Sequence, residues 1–256
     1  MPLPSHPKAV LIDLAGVLHV GDEAIPGAVS ALQRLQASGI VLRYLTNTSR
    51  TPRATIVGKL RGMGFAIEES EVFTAPMAAV EYLRAHRLAP HWLVHPDIVP
   101  ELGPSAMQPT AVVLGDAAHF FTFESLNTAF RFVMRGLPLI AVAKNRYFKE
   151  PDGLTLDMGA FVTGLEFSSG VTATIVGKPA PDYFNGVLAQ LGIAAAEAVM
   201  IGDDLSDDIG GAQAVGIAGM LVRTGKFRPQ DEHDERVQPA TIVDDFEAAV
   251  RALLDD

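Results

Sequence analysis

The chain of 256 residues contains no cysteine and a single tryptophan. Without cysteine there can be no disulfide, no thiolate zinc site and no cysteine nucleophile, which fits a reducing compartment. No stretch approaches the roughly 18 uncharged apolar residues of a membrane span. Met1 to Lys8 is too short and too proline-rich for a signal peptide, and Asp13 soon interrupts the apolar run that follows. These features point to a cytoplasmic protein with no membrane partner. Positive charge is also scarce: 20 Lys and Arg stand against 30 Asp and Glu, a formal net charge of -10. That balance argues against an electrostatic grip on nucleic acid or anionic lipid. It leaves room for a small anionic substrate, provided that a local site or a metal supplies the positive charge.

What is present is an alternation of short leucine-rich and β-branched runs with helical patterns, the signature of βα units around a parallel sheet. Val10 to Ile12, Val41 to Leu45, Val199 to Ile201 and Met220 to Val222 read as buried strands. Pro26 opens a helical pattern of Ala28, Leu32 and Leu35 that Gly39 can close. A second apolar face runs through Tyr183, Phe184, Val187, Leu188 and Leu191. The middle of the chain has strand signals of its own at Trp92 to Val94, Ala111 to Leu114 and Leu139 to Val142, with an amphipathic helix marked by Leu126, Phe130 and Val133. It reads as an inserted domain over residues 79–174, with 1–78 and 175–256 forming the core. The polar stretch Arg228 to Gln238 reads as a surface loop.

Four places carry candidate chemistry. Asp13 ends the first strand and precedes Leu14-Ala15-Gly16, a turn able to aim backbone N–H groups at an anion; alone, it also reads as an ordinary turn residue. Thr46-Asn47 follows the second strand, where an N-cap pair would look the same. Lys178 stands in Val176-Gly177-Lys178-Pro179, where a solvated loop lysine is equally ordinary. The sharpest is Gly202-Asp203-Asp204-Leu205-Ser206-Asp207-Asp208-Ile209. Four carboxylates at one strand end repel one another unless a cation offsets the repulsion.

Taken in order, these four resemble the motifs of the haloacid dehalogenase (HAD) superfamily. The resemblance implies a doubly wound parallel, Rossmann-like α/β core with an inserted α/β cap domain. Only 32 residues separate Asp13 from Thr46, whereas 130 separate Asn47 from Lys178, so the insertion falls at the second position, the C2 type of the NagD-like class IIA branch. The resemblance further implies a Mg²⁺-dependent phosphatase acting on a small phosphorylated compound. Asp13 would be the nucleophile and Lys178 its catalytic partner. Leu14, Ala15, Thr46, Asn47 and Lys178 would bind the phosphoryl group. Mg²⁺ would be held by Asp13, Asp203 and the Ala15 carbonyl, with Asp204 and Asp208 in support. Members of the branch also suggest a homodimer.

The chain departs from the pattern at one position. The family usually places a second Asp two residues after the nucleophile, as the acid that protonates the leaving group, and Ala15 stands there instead. The carbonyl can still bind a metal, but the acid/base is gone. Three outcomes follow: a substrate that leaves easily, such as a phosphoramidate or pyrophosphate; another residue, such as His119 or Tyr147, in the missing role; or slow turnover in a phosphate-binding module. A sugar or nucleotide monoester phosphatase is the further enzymatic alternative. A phosphonatase, which also carries Ala at this position, needs a lysine from a cap inserted between the first two motifs, where this chain has no room.

Overall fold

The computed structural model describes residues 1–150 and 153–254. Contacts gather these residues into two compact units. The first comprises 1–46, 53–73 and 183–256; the second comprises 47–52 and 74–182.

The first unit is built on a six-stranded sheet in the order Thr241–Val243, Ala218–Val222, Ala198–Gly202, Ala9–Asp13, Val41–Thr46, Val72–Thr74. Numbered along the chain this is 6-5-4-1-2-3, the doubly wound arrangement in which strand order reverses beside the first strand. Ala9–Asp13 pairs in parallel with both Ala198–Gly202 and Val41–Thr46. All five of its residues are buried, as expected of a strand covered on both faces. Alternation sends successive side chains to opposite layers. Met220 and Val222 join the core that packs Val10 and Ile12 with Leu32, Leu35, Phe246 and Val250, while Leu221 meets Leu205 and Ile209 on the other side. The helices Ala28–Ala37 and Phe246–Leu254 thus cover one face, and the turn Leu205–Gly210 covers part of the other.

The second unit holds a four-stranded parallel sheet in the order Thr174–Ile175, Leu139–Ala141, Ala111–Leu114, Pro90–Leu93. The helices Ala75–His86, Phe123–Val133 and Gly159–Ser169 and the antiparallel hairpin Tyr147–Glu150 with Gly153–Leu156 belong to it. Its seams differ from the sequence expectation of 79–174, because 47–52, 74–78 and 175–182 group with it as well. The cause is local: Thr174–Ile175 extends this sheet, and Val176 N donates to Ala141 O at 3.0 Å. The short strands Val72–Thr74 and Thr241–Val243 and the helix Arg53–Gly62 complete the first unit, and the sequence pattern did not mark them.

The three segments of the first unit meet at Tyr183, whose side chain is fully buried. Its hydroxyl accepts from Thr46 N at 3.1 Å and donates toward Phe73 O at 2.9 Å and Thr46 O at 3.2 Å. Its ring packs edge-on against Phe73. Tyr183→Phe keeps the ring and deletes the hydroxyl, and with it the hydrogen bonds to these buried backbone groups, a loss of about 1–3 kcal/mol. Urea denaturation should show that loss in the midpoint with an unchanged slope.

Candidate active site

The reversal of strand order places three strand ends side by side. Asp13 is the last residue of Ala9–Asp13, Asp203 follows Ala198–Gly202 directly, and Thr46 ends Val41–Thr46. Carboxyl ends of strands at such a reversal are where open α/β sheets bind ligands. Asp208 returns to the same place on the turn Leu205–Gly210. The carboxylates of Asp13, Asp203 and Asp208 each offer an oxygen within 4.8 Å of the others, and the three residues are only 7%, 2% and 1% exposed. Three carboxylates so close and so buried repel strongly, and a hard divalent cation with oxygen ligands is the natural offset. The donor set fits such an ion.

Backbone geometry holds the cluster in shape. Gly16 and Gly225 both have positive φ, at 91° and 61°, and a Cβ on either would overlap the Asp203 carboxylate. Lys226 N donates to Asp203 Oδ2 at 2.7 Å, and the Thr224 hydroxyl donates to Gly16 O. The turn after Asp13 and the turn after the strand Ala218–Val222 therefore enclose Asp203 together. Gly202 has a different reason: a Cβ there would collide with Asp208.

Asp204 does separate work. Its Oδ1 caps the turn by accepting from Ser206 N at 3.0 Å and Asp207 N at 2.9 Å, while its Oδ2 lies 3.2 Å from Lys226 Nζ. Burial opposes its ionisation, but the Asp207 amide, the Lys226 ammonium and the Ser206 amide together hold its carboxyl below the usual range. Asp204 N in turn donates to Asp208 Oδ2 at 3.2 Å. The helical segment starts at Leu205 because this cap initiates it there.

Ala15 is exposed, so its side chain position is open to a larger residue. Leu14 is 2% exposed and packs into the core, which leaves only its backbone for a ligand. The segment Thr224-Gly225-Lys226, which encloses Asp203, was assigned no part of the site from the sequence. The available signal was its place after another strand of the same sheet, at the edge where ligands bind.

In the second unit, Asn47 and Lys178 are brought together through the lysine backbone. Asn47 Nδ2 donates to Lys178 O at 3.0 Å, and Lys178 N donates to Asn47 Oδ1 at 2.9 Å. The Asn47 carboxamide is engaged at both ends with the lysine backbone, which gives it a positioning role in addition to the phosphoryl contact expected from the sequence. Lys178 itself is 6% exposed, which does not suit a solvated loop lysine. Gly177 is required here because a Cβ would overlap the Val142 carbonyl. Of the two residues considered as replacements for the missing acid, His119 is exposed and stacks loosely with Phe120 near His95. Tyr147 is 56% exposed at the start of the hairpin.

Comparison with known proteins agrees with this geometry. Residues 10–100 match the family described as haloacid dehalogenase-like hydrolase, and residues 175–249 match HAD-hydrolase-like. The chain is 46% identical over 255 residues to phospholysine phosphohistidine inorganic pyrophosphate phosphatase of Danio rerio, covering 96% of this chain and 94% of that one. It is 44% identical over 248 residues to haloacid dehalogenase-like hydrolase domain-containing protein 2 of Homo sapiens, covering 96% of each. Among solved structures, NagD of E. coli K-12 aligns with a TM-score of 0.87 at 24% identity, covering 96% of this chain and 98% of that one. A 4-nitrophenylphosphatase from Thermotoga maritima aligns with a TM-score of 0.88 at 24% identity, covering 97% and 98%. By fold, by motif order and by these relationships, the chain belongs to the haloacid dehalogenase-like hydrolase family.

Proposed function

We propose that the protein is a Mg²⁺-dependent phosphatase that acts on small phosphorylated compounds with easily expelled leaving groups, phosphoramidates or pyrophosphate. The observation that carries this reading is the buried cluster of Asp13, Asp203 and Asp208 beside a position, Ala15, that offers no acid. The names of the relatives, one a phosphatase of phospholysine, phosphohistidine and pyrophosphate, point the same way.

In this reading an Asp13 oxygen attacks phosphorus, the bond to the leaving group breaks, and an aspartyl-phosphate forms that water then hydrolyses at phosphorus. The backbone amides of Leu14 and Ala15, with Thr46 and Lys178, hold the phosphoryl oxygens, and Asn47 keeps the Lys178 backbone in place. Positioning and charge neutralisation supply most of the rate in such transfers. Mg²⁺ held by Asp13, Asp203 and the Ala15 carbonyl, with Asp208 in support, would neutralise carboxylate and phosphate charge. Proton delivery from position 15 is missing, a role worth roughly 10²- to 10⁴-fold. A phosphoramidate nitrogen or a phosphate leaves with little such help, whereas an alkoxide does not. No described helix is long and apolar enough to cross a membrane, which suits a cytoplasmic enzyme.

Phosphate release from imidodiphosphate, pyrophosphate, p-nitrophenyl phosphate and a sugar phosphate, with and without Mg²⁺, tests the reading. The first three should be hydrolysed in the presence of Mg²⁺, and Asp13→Asn should abolish the activity. Rates no higher than those of Asp13→Asn would refute an enzyme and leave a binding module; a preference for the sugar phosphate would favour the monoester phosphatase. Ala15→Asp should raise turnover of the sugar phosphate roughly 10²-fold or more. No gain in a folded, metal-binding variant would mean that another group already delivers the proton.

Metal binding has a readout independent of activity. At a Mg²⁺ concentration 100 times the dissociation constant, stabilisation should reach about 2.7 kcal/mol, seen as a higher melting temperature. Asp203→Asn should lose that rise and, by relieving the repulsion, melt no lower than the metal-free parent.

A further inference from the structure

In the proposed mechanism a cation takes the Ala15 carbonyl from one turn and the Asp203 carboxylate from the end of a neighbouring strand. The direction of that carbonyl is set by a single peptide plane, since Ala15 C=O and Gly16 N–H belong to one planar trans unit and point opposite ways. Gly16 N donates to His19 O at 2.7 Å, which fixes this plane. Gly16 itself sits at a φ of 91°, and glycine is the residue whose backbone turns most freely. The peptide that follows it is fixed from far along the chain: the Thr224 hydroxyl donates to Gly16 O.

We propose that Thr224 is a positioning residue for the cation site, which through Gly16 holds the turn of Ala15 in register with Asp203. The inference rests on the phosphatase reading and its cation, and adds a residue to that site. Three contacts converge within three consecutive residues. The Thr224 hydroxyl holds the Gly16 carbonyl. Gly225 passes so close to the same turn that a Cβ on it would come within 2.6 Å of Gly16 Cα. Lys226 N donates to Asp203 Oδ2 at 2.7 Å. One short segment thus grips both the turn that carries the carbonyl and the carboxylate that must face the same ion.

The segment has a firm base. The strand Ala218–Val222 that leads into it is buried along its whole length. Arg223 N donates to Val243 O at 2.9 Å, and the Arg223 guanidinium pairs with Glu232 at 2.8 Å and Asp244 at 2.9 Å. Threonine suits the task because its β-branch restricts χ1, so the hydroxyl is aimed before the bond forms. The bond joins two turns rather than two packed elements, and the buried strands on either side do not depend on it. Its loss frees rotation at Gly16 and blurs the carbonyl direction, which is felt by the ion more than by the fold. Groups that orient a metal's ligands in this way matter nearly as much as the ligands.

Mg²⁺ binding to the full chain, followed by isothermal titration calorimetry without substrate, tests the proposal on the parent, Thr224→Val and Thr224→Ser. Thr224→Val keeps the size and the β-branch and removes only the hydroxyl. It should weaken Mg²⁺ binding roughly tenfold or more, the scale of losing a partner that orients a metal ligand. Thr224→Ser restores the hydroxyl and should recover most of the affinity. The Mg²⁺ concentration for half-maximal release of phosphate from p-nitrophenyl phosphate should shift in the same order.

A Thr224→Val variant with the parent's Mg²⁺ affinity and a lower metal-free melting temperature would make the bond structural only and overturn the proposal; so would failure of that variant to fold. Equal weakening in Thr224→Ser would also overturn it, since the hydroxyl would not be the cause. A parent that binds Mg²⁺, loses this affinity in Thr224→Val and yet releases no phosphate above Asp13→Asn would fault the phosphatase reading and leave Thr224 its role. A parent that binds no Mg²⁺ would overturn both.

Discussion

Like charges gathered in a buried place set the terms for the first unit. Asp13 from one part of the chain and Asp203 and Asp208 from another sit within reach of one ion, nearly sealed from water. Hydrophobic packing alone would not hold them there, since each buried carboxylate disfavours the folded state unless it is paired. The surrounding backbone is arranged to tolerate the cluster: glycines at 16, 202 and 225 make room for it, and the Lys226 amide donates to it. Around this arrangement the sheet order is also intelligible. Only where neighbouring strands run away on opposite sides do two strand ends leave a crevice deep enough for such a cluster.

The stability of this unit and its chemistry are therefore opposed in the metal-free state and aligned in the metal-bound one. Apolar residues such as Val10, Ile12, Tyr44 and Phe246 supply the favourable burial that makes the repulsion affordable. Asp204 belongs to the structural side of the balance: it caps the turn that carries Asp208 and pairs with Lys226, so its charge is matched locally. Adjacent in sequence, Asp203 and Asp204 thus serve different ends, one facing the cation site and the other the helix.

The central strands were legible in the sequence because two-sided burial leaves an unbroken apolar run, as in Ala9–Asp13 and Ala198–Gly202. The acidic cluster was legible because carboxylates so concentrated at a strand end demand an explanation. The strand Val72–Thr74, three residues long, carries too little pattern to read, and the helix Arg53–Gly62 contains two glycines and only two buried residues. The sequence also could not show that the Asn47 carboxamide is turned toward a backbone 131 positions away, because an amide that holds a phosphate and one that holds a lysine backbone look alike in one dimension. For the same reason the enclosure of Asp203 by Gly225 and Lys226 became visible only once the strand ends were aligned.

The tie through Tyr183 has a consequence for how the molecule can change over time. Its hydroxyl joins Thr46, Phe73 and its own helix within 3.2 Å, at three of the four places where the chain passes from the first unit to the second or back. From the standpoint of the first unit, the long excursion from Thr74 to Asp182 starts and finishes at almost the same point. Closing such a gap requires only a few residues, whatever the length of the excursion. The intervening segment can therefore grow, shrink or be exchanged for another without moving the carboxylates, which makes the first unit a socket into which different modules can be fitted.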